Sequence, residues 1–377
     1  AGYRTGIIGK WGLGLSDTPG APWKQGFDFF FGYLNQIRAH NYYPNWLWKN
    51  QEKVPLQNEE IITQTTYAAG IGSVSSKRIE YSHDLMAREA LGFIERNRND
   101  PFFLYLAFTV PHANNEAVAG RIPGPDVAPT EQERARQGLE VPDLGIYQNK
   151  DWPEPQKGLA AMITRMDGDV GRIMAKLIDL KLDEETIVFF TSDNGPHSEG
   201  GNDHQFFDSN GALREKKGYL FDGGIRVPMI VRWPGKVKAG TLSDQVWSFM
   251  DFMPTAADLA GVEAPGNIDG VSVLPTLQGN AQDLSKRFLY WEFNAKLNGI
   301  AARHGKWKAV QYYGRSLELF DMERDMGEQN DVSALYPEVV SRISAYLSTA
   351  RKSSVFWPEP MSGKPADFSS VEQALTP

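Results

Sequence analysis

The sequence predicts an α/β protein with a mixed, mainly parallel central sheet, followed by a small α+β C-terminal domain. Three observations carry that expectation. Residues 102–108 and 186–190 are continuous apolar runs of strand length, the pattern of strands covered on both faces. Between them Leu159, Met162, Ile163, Met166, Val170, Ile173, Met174 and Leu177 recur at spacings of three and four, marking a long amphipathic helix. After a Gly-, Pro- and Asn-rich break at 261–279, short strand-like pieces follow one another closely up to a final helix.

Taken in order, residues 3–10 read as a strand running into the glycine-rich turn Gly9-Lys10-Trp11-Gly12-Leu13-Gly14. Residues 20–58 are rich in aromatics, Asn and Pro and read as a long ordered loop with short pieces of structure. Ser82 is placed as the N-cap of a helix over 83–97, with Asp84 in its first turn. Residues 113–158, rich in proline and poor in apolar runs, form an excursion of the kind that is usually functional or disordered. Alternation of strand and helix resumes through Met229-Ile230-Val231 and a helix near 249–260. The break separates residues 1–280 from a C-terminal domain over 281–377. Strands are expected there at 287–293, 299–303, 306–312 and 317–320, with a helix opening at Pro337.

Composition excludes several classes of function. The chain has 377 residues and a formal charge of −8, an acidic balance that argues against a general nucleic-acid or anionic-membrane binder. With no cysteine there is no disulfide, thiol nucleophile or Cys-ligated metal in it. The longest strongly apolar run, Phe102 to Val110, is about half a membrane span. The first residues, Ala-Gly-Tyr-Arg-Thr-Gly, already read as a turn entering a strand, so an N-terminally truncated chain is expected, with any export signal upstream.

The sharpest local signal is Thr191-Ser192-Asp193-Asn194-Gly195, where an apolar strand ends in a carboxylate and an amide. Ligands bind at the carboxyl edge of such sheets, and two hard oxygens suit Ca²⁺ or Mg²⁺; a tight Asn-Gly turn explains the same residues. Lys217 precedes Asp222-Gly223-Gly224-Ile225-Arg226, either as an anion-binding lysine or as a solvated one. His112 follows a strand, where a general acid or a structural hydrogen-bonder would sit. Lys10 lies in a turn that only loosely resembles a phosphate loop. His197 and His204 follow the Asp-Asn pair and are candidate substrate contacts. Asp167, Asp169 and His304 are read as structural, Arg226 as a loop tie, and His83 as a surface or capping residue.

The Gly9–Gly14 turn, Pro111-His112, Ser192-Asp193-Asn194-Gly195, and Lys217 with Gly223-Gly224-Ile225-Arg226-Val227-Pro228 stand in the order that sulfatases show. The chain resembles that family over essentially its whole length, closest to the bacterial arylsulfatase A and N-acetylgalactosamine-6-sulfatase type. His112-Ala113-Asn114-Asn115-Glu116 and His40-Asn41-Tyr42-Tyr43-Pro44 are similar to it as well. The resemblance implies an alkaline-phosphatase-like fold and hydrolysis of sulfate esters, on a sulfated saccharide or aryl sulfate; the alternatives are a phosphoester or phosphonate hydrolase of the same superfamily and a non-catalytic carbohydrate-binding protein that keeps the fold. It implies Asp193 and Asn194 as ligands of a calcium ion, with Mg²⁺ the lesser alternative. Lys10, His112 and Lys217 match residues that hold the sulfate and serve the leaving group. A periplasmic or secreted location follows from the same resemblance.

Two departures from the family pattern stand out. The formylglycine nucleophile arises from Cys/Ser-x-Pro-x-Arg, and neither that motif nor the family's first two Asp ligands occurs here. The resemblance therefore expects formylglycine in a segment upstream of Ala1, and a chain that is inactive by itself. Gly12 stands where many members carry a histidine, and His40 is the candidate to compensate by acting in the reaction; the other readings of His40 are recognition of the sugar only and a purely structural role.

Overall fold

The computed structural model describes residues 1–66, 70–117, 138–294 and 297–352. Much of the proline-rich excursion, at 118–137, and the end of the expected C-terminal domain, at 353–377, lie outside the described residues. The chain divides into two units: Gly2–Thr186 with Ser198–Asp203, and Ile187–His197 with His204–Pro377.

The first unit is built on β1 (Arg4–Lys10), β2 (Phe29–Tyr33), β3 (Trp46–Lys49), β4 (Glu52–Pro55) and β7 (Phe102–Ala107). These form one sheet in the order β4-β3-β2-β1-β7. β1 lies parallel to both β2 and β7, whereas β2-β3-β4 run antiparallel. The apolar runs place Ile7, Phe30 and Leu34 in one core cluster. β5 (Glu59–Thr66) and β6 (Gly70–Lys77) make a separate antiparallel ribbon. Helix α1 (Ser82–Arg96) and helix α2 (Glu154–Asp179) pack on each other, and the predicted stripe supplies Leu159, Met162, Ile173 and Leu177 as buried positions of α2.

Three expectations need correction. β7 is only partly covered rather than buried on both faces, with Tyr105 half exposed, and among the described residues it ends this sheet. Ser82 is the first helical residue; Tyr81 is the cap and makes no side-chain capping bond. His83, read as a surface or capping residue, is fully buried, 2.9 Å from Asp169 on α2. Helical spacing alone could not separate a polar residue facing water from one facing a partner on another helix.

In the second unit β8 (Val188–Thr191) pairs antiparallel with β9 (Met229–Arg232) as a two-stranded sheet of its own, so this pair is not parallel as the alternation suggested. Between them lies the short helix α3 (Asp222–Ile225), and beyond them α4 (Phe252–Leu259) and α5 (Leu274–Leu277). β10 (Phe288–Phe293), β11 (Gly299–His304), β12 (Trp307–Tyr312) and β13 (Glu318–Asp321) form the expected antiparallel sheet, each within two residues of its predicted bounds. Helix α6 (Pro337–Leu347) starts at its proline and lays Val339 and Ile343 against Ala302, Ala309 and Leu319.

Among the described residues no helix is long and apolar enough to cross a membrane.

Candidate active site

Because β1, β2 and β7 are parallel, their carboxyl ends lie on one edge of the first unit's sheet. Lys10 ends β1, with Tyr33 of β2 as its register partner. His40 closes a short 3-10 turn after β2, and His112 follows β7 across the cis Val110–Pro111 bond. The two imidazoles come together, stacked with centroids 4.7 Å apart and planes 12° from parallel.

Each ring has a carboxylate. His40 Nδ1 lies 3.0 Å from Glu116 Oε2, and His112 Nε2 lies 3.3 Å from Glu199 Oε2. His112 Nδ1 is 2.7 Å from the Ala113 carbonyl oxygen, which can only accept, so Nδ1 carries a proton. The proton that His112 exchanges is therefore the one on Nε2. Tyr42 donates its hydroxyl to the His112 carbonyl at 2.6 Å and fixes the backbone beneath the ring. Glu116 and Glu199 were missed in the sequence. Glu116 stood inside a motif already singled out, but nothing local marks Glu199, which reaches His112 only through the fold.

Gly12 follows Lys10 with φ +76, and its backbone N–H donates to the Leu34 carbonyl. A Cβ built there would run into the Gln36 amide oxygen, so the space over Gly12 already belongs to Gln36.

The second unit assembles Asp193, Asn194 and Lys217. β8 delivers the Asp-Asn pair, and Thr191 donates its hydroxyl to the Pro228 carbonyl at 2.8 Å. The Gly195 N–H donates to the Gly224 carbonyl at 3.0 Å, and a Cβ on Gly195 would strike the Gly223 carbonyl. The two glycine-bearing motifs therefore meet backbone to backbone. The Lys217 N–H donates to the Pro196 carbonyl at 3.0 Å, which brings the lysine beside the same turn. Asp193 is exposed, and the Asn194 amide nitrogen donates to the Gly195 carbonyl at 2.9 Å, leaving Oδ1 as its available ligand atom. Two hard oxygens fit Ca²⁺ in kind, although its six to eight ligands must come largely from elsewhere.

Beneath this turn sits a buried charge cluster. Lys308 Nζ on β12, with no exposed surface, lies 2.6 Å from Asp222 Oδ1 and 2.8 Å from Glu328 Oε1. Arg226 reaches Asp222 at 3.7 Å, the loop tie expected of it. Burial pushes the Glu328 carboxyl above the usual range, Lys308 opposing the shift.

The remaining histidines divide. His197 is 8% exposed, which leaves little surface for a substrate contact. His204 lines an open polar pocket of about 450 Å³ with Asp208, Asn210, Glu215 and Lys216.

Comparison with known proteins gives a consistent picture. The family model described as Sulfatase matches residues 1–262, and one described as N-sulphoglucosamine sulphohydrolase, C-terminal, matches 203–353. The arylsulfatase of Hemicentrotus pulcherrimus is 33% identical over 82% of this chain and 50% of its own length. The steryl-sulfatase of Mus musculus is 36% identical over 60% of this chain and 33% of its own. The N-acetylgalactosamine-6-sulfatase of Homo sapiens is 32% identical over 94% of this chain and 67% of its own. Among solved structures, Ps i-CgsB in complex with k-i-k-neocarrahexaose is similar over 99% of this chain and 76% of that one, with TM-score 0.73 and 26% identity. The chain spans about a third to a half of the length of the first curated relatives it matches.

Proposed function

The chain belongs to the sulfatase family, and from that premise we propose that it serves a sulfuric ester hydrolase acting on sulfated carbohydrate. The observation that carries the reading is the agreement of that family match with the placement of Lys10, His112, Asp193 and Asn194 at or just beyond the carboxyl ends of strands. The similarity to a protein solved with a neocarrahexaose supports a saccharide as substrate.

Hydrolysis of a sulfate ester expels an alkoxide. His112, its Nδ1 committed to a carbonyl, supplies the Nε2 proton to that oxygen, worth about a 10²–10⁴-fold rate factor. Lys10 in the first unit and Lys217 in the second are each assigned to sulfate binding by charge, and His40 and His204 are each assigned to saccharide contact. His197 is the weakest of the sugar contacts, given its burial. Asp193 and Asn194 would contribute oxygens to a calcium ion, which would supply stabilisation of negative charge on sulfate. Formylglycine is the family's nucleophile, and this chain's residues are assigned to binding and proton transfer around it. A periplasmic or secreted location completes the reading.

The test is release of inorganic sulfate from 4-nitrophenyl sulfate and from sulfated galactan oligosaccharides by the full-length protein, with and without Ca²⁺. Turnover lost in His112→Ala supports the reading. Hydrolysis of phosphate monoesters in preference to sulfate esters overturns it.

A further inference from the structure

Glu116 is a buried carboxylate that the reaction outlined above does not use. Its residue is 3% exposed, and it is held on a rigid support. The Glu116 N–H donates to Asn114 Oδ1 at 3.2 Å. Asn114, fully buried, donates to Glu140 Oε2 at 3.2 Å and to the Ser73 carbonyl at 3.3 Å, and Arg78 in turn holds Glu140 at 2.8 Å. Burying an anion is costly unless a partner with a proton to donate meets it, and His40 Nδ1 does so at 3.0 Å.

We propose that Glu116 is a positioning residue for His112, acting through the imidazole of His40. The proposal rests on the reading of His112 as the proton donor to the leaving group. The carboxylate takes the Nδ1–H of His40, which selects the tautomer and stops rotation of that ring, as second-layer carboxylates do for other histidines. The fixed His40 ring then lies flat on His112 at 4.7 Å and limits the swing of its imidazole. The His40 backbone is tied as well: its N–H donates to the Ile37 carbonyl, and neighbouring Arg38 pairs with buried Glu60 at 3.0 Å. His112 is thus set by its Ala113 bond in the ring plane and by His40 across it. A proton donor misplaced by about 1 Å loses up to about 10²-fold. The loss falls hardest on esters whose leaving group most needs the proton.

Two measurements test this. In the first, the protein is labelled with ¹⁵N in its histidines and compared with Glu116→Leu, which removes the acceptor at similar volume, and Glu116→Gln, whose amide oxygen still accepts. Wild type and Glu116→Gln are expected to show His40 protonated at Nδ1, and Glu116→Leu to lose that signature and displace the His112 ring signals. Unchanged His40 and His112 signals in Glu116→Leu overturn the proposal. Should that variant not fold, Glu116→Asp, with its carboxylate drawn back by one methylene, carries the same expectation and the same refutation. In the second, kcat/KM of the full-length protein is compared on 4-nitrophenyl sulfate and on a sugar sulfate. Glu116→Leu is expected to lose about tenfold more on the sugar ester, with its poorer leaving group, and Glu116→Gln to recover most of it. Equal losses on both esters overturn the proposal. A wild type inactive on both refutes the sulfatase reading instead, and the histidine spectra still judge the positioning.

Discussion

At the scale of single residues, two glycines show how little space the sequence leaves around its motifs. Gly195 is closed over by the Gly223 carbonyl, so Gly195→Ala must push the Asp-Asn turn away from the Asp222–Ile225 helix. Overpacking of that kind costs about 1–3 kcal/mol, to be read from urea unfolding. Gly12 is different in kind. Its φ of +76 is a left-handed conformation, and the Gln36 amide fills the space above it. Gly12→His, which puts in the residue that the family resemblance leads one to expect there, is expected to destabilise by about 1–2 kcal/mol. Adding Gln36→Ala should recover part of that loss by clearing the clash. A double variant no more stable than Gly12→His would show that backbone conformation alone sets the cost.

Among elements, buried charge does the pinning. Asp169 joins α2 to α1 through His83, with Arg172 as a second partner. Burial raises its carboxyl pKa, but His83 and Arg172 overcome this and hold it below the ordinary aspartate value. A lowered folded-state pKa contributes stability above the unfolded aspartate pKa, about 3.9, and loses it as pH falls through the folded value. Asp169→Asn should therefore destabilise at pH 7, by about 1–3 kcal/mol, because it weakens the contact with buried His83 while the mostly exposed Arg172 can return to water. Its unfolding free energy should then fall less than wild type's on going from pH 5 to pH 3. The Lys308 cluster gives a contrast within the second unit. Lys308→Met takes the buried lysine from Glu328 and leaves Asp222 with only the more distant Arg226 and Arg303, and should cost about 3–5 kcal/mol. Glu328→Gln removes a charge whose carboxyl burial already favours as the neutral acid, and should cost clearly less. Equal losses in denaturant unfolding would mean that packing, and not charge, holds the turn.

For the molecule as a whole, the expected cation is the most direct handle. If Asp193 and Asn194 ligate Ca²⁺, adding the ion must stabilise the folded chain by mass action, by about 2.7 kcal/mol at a hundred times Kd. The melting temperature should rise with Ca²⁺, return on chelation, and respond no longer in Asp193→Ala. Mg²⁺ should do less, because it keeps much of its water shell. No calcium-dependent shift up to millimolar concentrations would argue that the pair is a turn and no more.

The sequence by itself determined the strands and helices of the C-terminal sheet domain, the stripe of α2 and the family. It did so because apolar periodicity and glycine or proline punctuation are local properties that do not depend on distant partners. It also singled out Lys10, His112, Asp193, Asn194 and Lys217 as candidates, each standing after a strand or in a tight turn, and His40 through the resemblance alone. Tertiary structure alone decided that β8 and β9 run antiparallel, because strand direction is settled by pairing across thirty-odd residues of loop and short helix. It alone buried His83 against Asp169 and set His40 flat on His112, with Glu116 and Glu199 at either end. Such pairs join residues far apart along the chain, and the free energy of a buried carboxylate depends on which proton donor the fold brings to it.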